Sequence, residues 1–145
     1  MPSNLIIILR LLLSVILSGL IGFERELHHR SAGLRTHILV SLGSTLVMLT
    51  SLYVFDRYKD KVPLDPGRIA AGVITGIGFL GAGTIIRMGQ DVKGLTTAAS
   101  LWITAAIGLS VGCGFYVAGV FATILVIFIL FFLREIENRL LKKEV

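Results

Sequence analysis

Five long apolar runs, Leu5–Phe23, Thr36–Phe55, Ile69–Ile86, Leu95–Gly112 and Phe115–Leu133, leave this chain few ways to fold. Each reaches the roughly 18 residues that a helix needs to cross the hydrocarbon core of a bilayer. Lipid offers a backbone no hydrogen bonds, so every run must pair its own amides as a helix; none alternates polar and apolar residues as a barrel strand would. The expected fold is an all-α integral membrane bundle of five transmembrane helices. Composition agrees: 54% of residues are hydrophobic and 16% charged, against about 25% charged in soluble domains. That argues against a soluble enzyme and against a disordered chain. The first run opens on Met-Pro-Ser-Asn, with no basic side chain and no small-residue cleavage motif after it, and reads as a retained helix rather than a leader. Gly112 to Gly114 is a very short link, so a bent or re-entrant pair is the alternative to five full spans.

The formal net charge of +5 does not point to nucleic acid, because the basic residues flank apolar runs without interleaved aromatics. They set an orientation instead. With five spans, Arg25, Arg30, Arg35, Arg87, Lys93, Arg134, Arg139, Lys142 and Lys143 share one side, and Arg57, Lys59, Lys61 and Arg68 the other. The positive-inside bias then predicts an outer N-terminus and a cytoplasmic C-terminus. Residues 1–133 read as the membrane domain and 134–145 as a short cytoplasmic amphipathic tail. The single cysteine, Cys113, cannot form an internal bridge.

Gly33-Leu34-Arg35-Thr36 and Gly94-Leu95-Thr96-Thr97 each close a basic loop and open a span, and glycine-bearing helices precede both. Spans one and two therefore resemble spans three and four, which would be a parallel repeat about the membrane normal; chance likeness between two glycine-rich hairpins is the other reading. The third span carries Gly72, Gly76, Gly78, Gly81 and Gly83, and Gly72-x-x-x-Gly76 is a close-packing pattern of membrane helices. In the fourth, Thr96, Ser100, Thr104, Gly108 and Gly112 recur every four residues. These two faces are expected to pack together at the centre of the bundle, with Trp102 on another side. Gly76-x-Gly78-x-x-Gly81 also matches a dinucleotide fingerprint, but the strand and soluble helix that motif needs are missing.

All nine acidic residues lie at span ends or in loops, so no midplane carboxylate marks an ion path. Magnesium favours oxygen ligands such as carboxylates, and no machinery for carrying it is evident. Arg10 is the one charge inside a span, either snorkelling outward or pairing with Asp56 or Asp65. His28, His29 and His37 lack the company of a metal site, and no arrangement suggests catalysis or a cofactor. The cytoplasmic rim is the candidate binding surface: Glu24, Arg25, Glu26, Arg35, Thr36, His37, Arg87, Thr96 and Thr97 gather at helix ends. Thr36 and Thr96 are expected N-caps, and the amides they expose, reinforced by Arg35, suit an anionic group or acidic partner. An ordinary charge network, with Glu24 and Glu26 neutralising the arginines, is the alternative.

Several ordered motifs resemble the membrane domain of the MgtC/SapB family: Ile21-Gly-Phe-Glu-Arg-Glu26, Ala32-Gly-Leu-Arg-Thr-His37, Arg68-Ile-Ala-Ala71, Gly76-Ile-Gly-Phe-Leu-Gly-Ala-Gly83 and Gly94-Leu-Thr-Thr-Ala-Ala-Ser-Leu-Trp102. The resemblance implies a bacterial plasma-membrane protein without catalytic activity, linked to low-magnesium adaptation and virulence. It also implies action by binding other membrane proteins, the ATP synthase included. This sequence departs from the longer members in the short tail that stands in place of their soluble C-terminal domain, so the resemblance carries over no regulation that it assigns to that domain. The expected activity is helix-mediated binding to itself, as a homo-oligomer, or to another membrane protein; a small transporter or channel for magnesium or another ion is the alternative.

Overall fold

A computed structural model of the chain describes residues 2–141. It is a bundle of five helices, α1 (Asn4–Leu27), α2 (Leu34–Tyr58), α3 (Pro66–Gly83), α4 (Leu95–Cys113) and α5 (Tyr116–Leu141). Between α3 and α4 lies an antiparallel hairpin of β1 (Ile86–Met88) and β2 (Asp91–Lys93). Among the described residues four helices are long and apolar enough to cross a membrane: α1, α2, α4 and the Tyr116–Glu137 part of α5. α3 is not among them, since Pro66, Arg68 and its glycines dilute the apolar content of its 18 residues. α5 continues past Leu133 to Leu141 without a break, so the first part of the expected tail prolongs the last span. Residues 142–145 lie outside the described residues.

The hairpin corrects the expected third span. The apolar run continues through Ile86, but the helix stops at Thr84, whose hydroxyl donates to Gly81 O at 2.8 Å. Ile86 then pairs with Lys93, Arg87 with Val92 and Met88 with Asp91. Gly89, with φ +65°, takes the first central place of the two-residue turn, where glycine adopts the needed backbone without steric cost.

α4 is the centre of the bundle and touches each of the other four helices. Two small apolar clusters flank it. One joins Leu17 and Ile21 of α1 to Ile107 and Val111, with Val126, Ile127 and Leu130 of α5 against them; the other joins Ala32 and Ile77 to Leu101 and Ala105. Much of the remaining interior is hydroxyl-bearing: Ser14, Ser18, Ser41, Thr45 and Thr104 are fully buried. In lipid, helices gain little from hiding apolar surface from one another, so small residues that let backbones approach decide which faces meet. A Cβ on Gly22 would sit 2.8 Å from Leu34 Cα, and one on Gly112 would sit 2.7 Å from Met48 Cβ. At Gly108 it would collide with Ser41 O. These glycines are the crossing points of α1 on α2 and of α4 on α2.

The expected pairing of the third and fourth spans through their small faces is therefore different in the structure. Gly108 and Gly112 lie against α2, and Ser100 faces His37 of α2. α3 meets α4 through Ile77, and through Gly81 beside Ala98. A Cβ added at Gly72, Gly76, Gly78 or Gly83 would meet nothing within 4 Å. The reason is hydrogen bonding as well as size: Thr45 of α2 donates to Gly108 O at 2.9 Å, a bond the glycine face of α3 cannot offer. At the end of α4 the chain reverses sharply. Gly114 adopts φ +92° and Phe115 N donates to Ser110 O at 2.8 Å, an αL termination that separates α4 and α5 as two distinct helices.

Candidate functional site

One end of the bundle collects the termination of α1 and the starts of α2 and α4. α1 closes by two crossed bonds, Arg30 N to Arg25 O at 3.1 Å and His29 N to Glu26 O at 3.0 Å, with His29 at φ 50°. That left-handed residue turns the chain so that Arg30 follows directly beside Arg25. α2 and α4 do not begin on threonine caps. Their N-caps are Gly33 and Gly94, and neither makes a side-chain cap bond. Thr36 and Thr96 sit inside the first turns because both helices start at a crowded glycine: a Cβ at Gly33 would overlap the Glu26 carboxylate, and one at Gly94 would overlap the backbone at Thr84 O. The exposed amide of α2 already has its anion, since Leu34 N donates to Glu26 Oε2 at 3.0 Å. A carboxylate there also complements the helix dipole.

Behind this rim lies a buried polar chain. Arg25 is 3% exposed, and its Nη2 donates to Thr97 Oγ1 at 3.3 Å. Its Nη1 is 3.8 Å from Glu24 Oε2, whose partner oxygen Oε1 lies 2.8 Å from His28 Nδ1. His37 is fully buried. Its Nδ1 lies 2.8 Å from Gly33 O, which can only accept, so Nδ1 carries the hydrogen. Nε2 faces Ser100 Oγ at 3.1 Å. α1, α2 and α4 are thus tied through Arg25–Thr97 and His37–Ser100. Three buried atoms, Glu24 Oε2, Arg25 Nε and Ser41 Oγ, have no hydrogen-bond partner among the described residues.

Of the rim residues read from sequence, Glu24, Arg25, His37 and Thr97 are buried in this network, with Glu26 at its edge. Arg35, Thr36 and Thr96 are exposed on the first turns of α2 and α4. Arg87 stands apart on β1, its Nε donating to Gly89 O at 3.3 Å. The structure adds residues that sequence reading passed over. Arg30 and Arg134 line a cavity of about 300 Å³ with Arg25, Thr96 and Glu137. Arg30 arrives there through the turn at His29, and Arg134 through the return of α5 alongside α4. Among the described residues no group of three or more His, Cys, Asp and Glu side chains is placed to hold a metal ion.

At the opposite end, Arg10 binds the end of α4 and Tyr116, and among the described residues it makes no ion pair with Asp56 or Asp65. Its Nη1 donates to Gly112 O at 2.7 Å, its Nε donates to Tyr116 Oη at 2.8 Å, and its guanidinium lies 5.6 Å from the Tyr116 ring centroid. The C-terminal carbonyls of α4, open by helix geometry and negative by the dipole, attract it. Arg10→Leu should lower stability by about 2 kcal/mol, the scale of a charge-assisted hydrogen bond, read as an earlier midpoint in detergent unfolding. Arg10→Lys should recover only part of the loss, because an ammonium lacks the planar fork. An unchanged midpoint for Arg10→Leu would remove this tie from the account of the fold.

Comparison with known proteins follows the same residues. The chain matches the MgtC family over residues 11–139. It is 46% identical to the putative magnesium transporter YhiD of Escherichia coli K12 over 94% of this chain and 64% of that protein. It is 44% identical to protein MgtC of Salmonella typhimurium LT2 over 92% of this chain and 54% of that protein. The chain thus spans somewhat over half the length of these relatives. No solved structure matches it. A family match covering most of the chain, together with four membrane-length helices among the described residues, makes this multi-pass membrane protein a member of the MgtC family.

Proposed function

We propose that this protein works in the bacterial inner membrane by helix-to-helix binding, to a second copy of itself or to another membrane protein, through the uncovered face of α3. One observation carries the reading. Gly72, Gly76 and Gly83 have open space where a Cβ would stand, and Phe79, on the same helix, is 83% exposed. Small residues flanking one large anchor suit close approach of a further helix. In this reading the Arg25 end faces the cytoplasm, as the distribution of basic residues favours. The ATP synthase and the low-magnesium and virulence setting are the partner and context that the family resemblance brings.

Gly76→Leu tests this. A Cβ added there meets nothing within 4 Å in the chain, and leucine is a better helix former than glycine by up to about 1 kcal/mol. The isolated variant should unfold no earlier than the wild type, yet lose both self-association and capture of partners from native membranes. Capture at wild-type levels would sink the reading. Gly81→Leu is a poorer probe, because its Cβ already stands 3.5 Å from Ala98.

A second reading, transport of magnesium or another ion, is favoured by the printed name of the YhiD relative and by the buried hydroxyls of Ser14, Ser18, Ser41, Thr45 and Thr104. Flux through purified protein in liposomes decides between the two: ion passage that Thr45→Val abolishes would establish transport and displace the binding reading.

A further inference from the structure

The cavity at the Arg25 end does not stop at its charged residues. Thr96, Ile129 and Leu130 line it, and the same residues line an apolar groove of about 400 Å³ between α4 and α5. That groove runs along Ala99 and Ile103 on one side and Leu125 and Val126 on the other. From Thr96 to Ile103 it follows about 10 Å of helix axis, at the α-helical rise per residue. Its head is cationic, with Arg25, Arg30 and Arg134 against the single carboxylate of Glu137. Arg25 is 3% exposed and already has Glu24 Oε2 3.8 Å from its Nη1, whereas neither Arg30 nor Arg134 makes an ion pair among the described residues. The first turn of α4 opens at the same point, on Thr96, and its free amides favour negative charge.

We propose that this composite site holds one anionic glycerophospholipid, with its phosphate on Arg25, Arg30 and Arg134 and an acyl chain in the α4–α5 groove. Arg30 and Arg134 add two cations to the one that Glu24 already faces, and a phosphate offers them charge-assisted acceptors. A free phosphate would satisfy the head and leave the groove without purpose; a neutral lipid would fill the groove and leave Arg30 and Arg134 without a counter-ion. Glu137 gives the head an acceptor for a headgroup hydroxyl, which phosphatidylglycerol supplies. The site lies between α4 and α5, away from the glycine face of α3, and stands whether or not that face binds a partner.

The test is competitive retention on the full chain. Protein is released from micelles containing equal amounts of phosphatidylglycerol and phosphatidylcholine, and the bound lipid is read by native mass spectrometry. Phosphatidylglycerol should be retained preferentially. Arg134→Gln should reduce that preference about fivefold, the factor expected for one basic side chain at an anionic lipid surface. Arg30→Gln, on the exposed turn after α1, repeats the measurement if Arg134→Gln fails to accumulate. Ala99→Phe, which fills the groove, should lower retention of the lipid with the arginines intact. Inorganic phosphate is the separate arm, read by thermal unfolding. Equal retention of the two lipids overturns the proposal. So does protection by inorganic phosphate equal to that by phosphatidylglycerol and insensitive to Ala99→Phe, which would assign the head to a free anion.

Discussion

Gly108→Ala should unfold at markedly lower denaturant than the wild type, with a loss of about 3 kcal/mol at the upper end of core overpacking. A Cβ there collides with Ser41 O and lies 2.9 Å from Ser44 Cβ and 3.0 Å from Ser41 Cα. Two of those atoms belong to the backbone of α2, so no side-chain rotation relieves the clash. The helices must separate, and the bond from Thr45 Oγ1 to Gly108 O then lengthens from 2.9 Å. Gly43→Ala is the matched control, since a Cβ there meets nothing within 4 Å. The single tryptophan, Trp102, lines the cleft between α3 and α4 and reports unfolding by its fluorescence. Equal midpoints for the two alanine variants would mean that close α2–α4 approach is not what holds the bundle.

The same contact explains what could be read before the structure. Runs of Leu, Ile, Val and Phe announce α1, α2, α4 and α5 because lipid imposes length and helicity on any apolar segment. The end of α3 was hidden, since Thr84-Ile85-Ile86 extends the apolar run while the backbone has already left the helix. The four-residue recurrence on α4 falls on buried positions at Ser100, Thr104, Gly108 and Gly112, while its first member, Thr96, is exposed. The partner of this face was not legible, because Gly72-x-x-x-Gly76 carries the same signature as a packed interface, and the true partner, His37, Ser41, Ser44 and Thr45, is a further small polar stripe at helical spacing on α2 that does not say which helix it meets. The close approach at Gly108 and Gly112, the hydroxyl of Thr45 reaching Gly108 O and His37 facing Ser100 Oγ distinguish them. At the rim, nearness in sequence led to Glu24, Arg25 and His37. Arg30 and Arg134 depend on a left-handed turn at His29 and on the return of a distant helix, neither of which composition announces.

Arg25→Met should be comparably damaging for a different reason, and the two causes can be separated. The substitution keeps an unbranched side chain but removes the cation from a buried pair. Glu24 is left with its side chain 10% exposed and its Oε2 already without a hydrogen bond. Removing one member of a buried ion pair costs about 3–5 kcal/mol because the survivor stays desolvated and uncompensated. Thr97 Oγ1 also loses the donor that ties α1 to α4. Neutralising the survivor should undo most of the damage: Glu24→Gln combined with Arg25→Met removes the stranded charge, and a buried pair replaced as a unit is often close to neutral. The coupling in this double-mutant cycle should therefore exceed about 1 kcal/mol, beyond the error of additivity for independent sites. If the two substitutions simply add, the pair is not an electrostatic unit. Arg25 would then hold the bundle together by filling space and by its bond to Thr97, which an Arg25→Gln variant that retains wild-type stability would confirm.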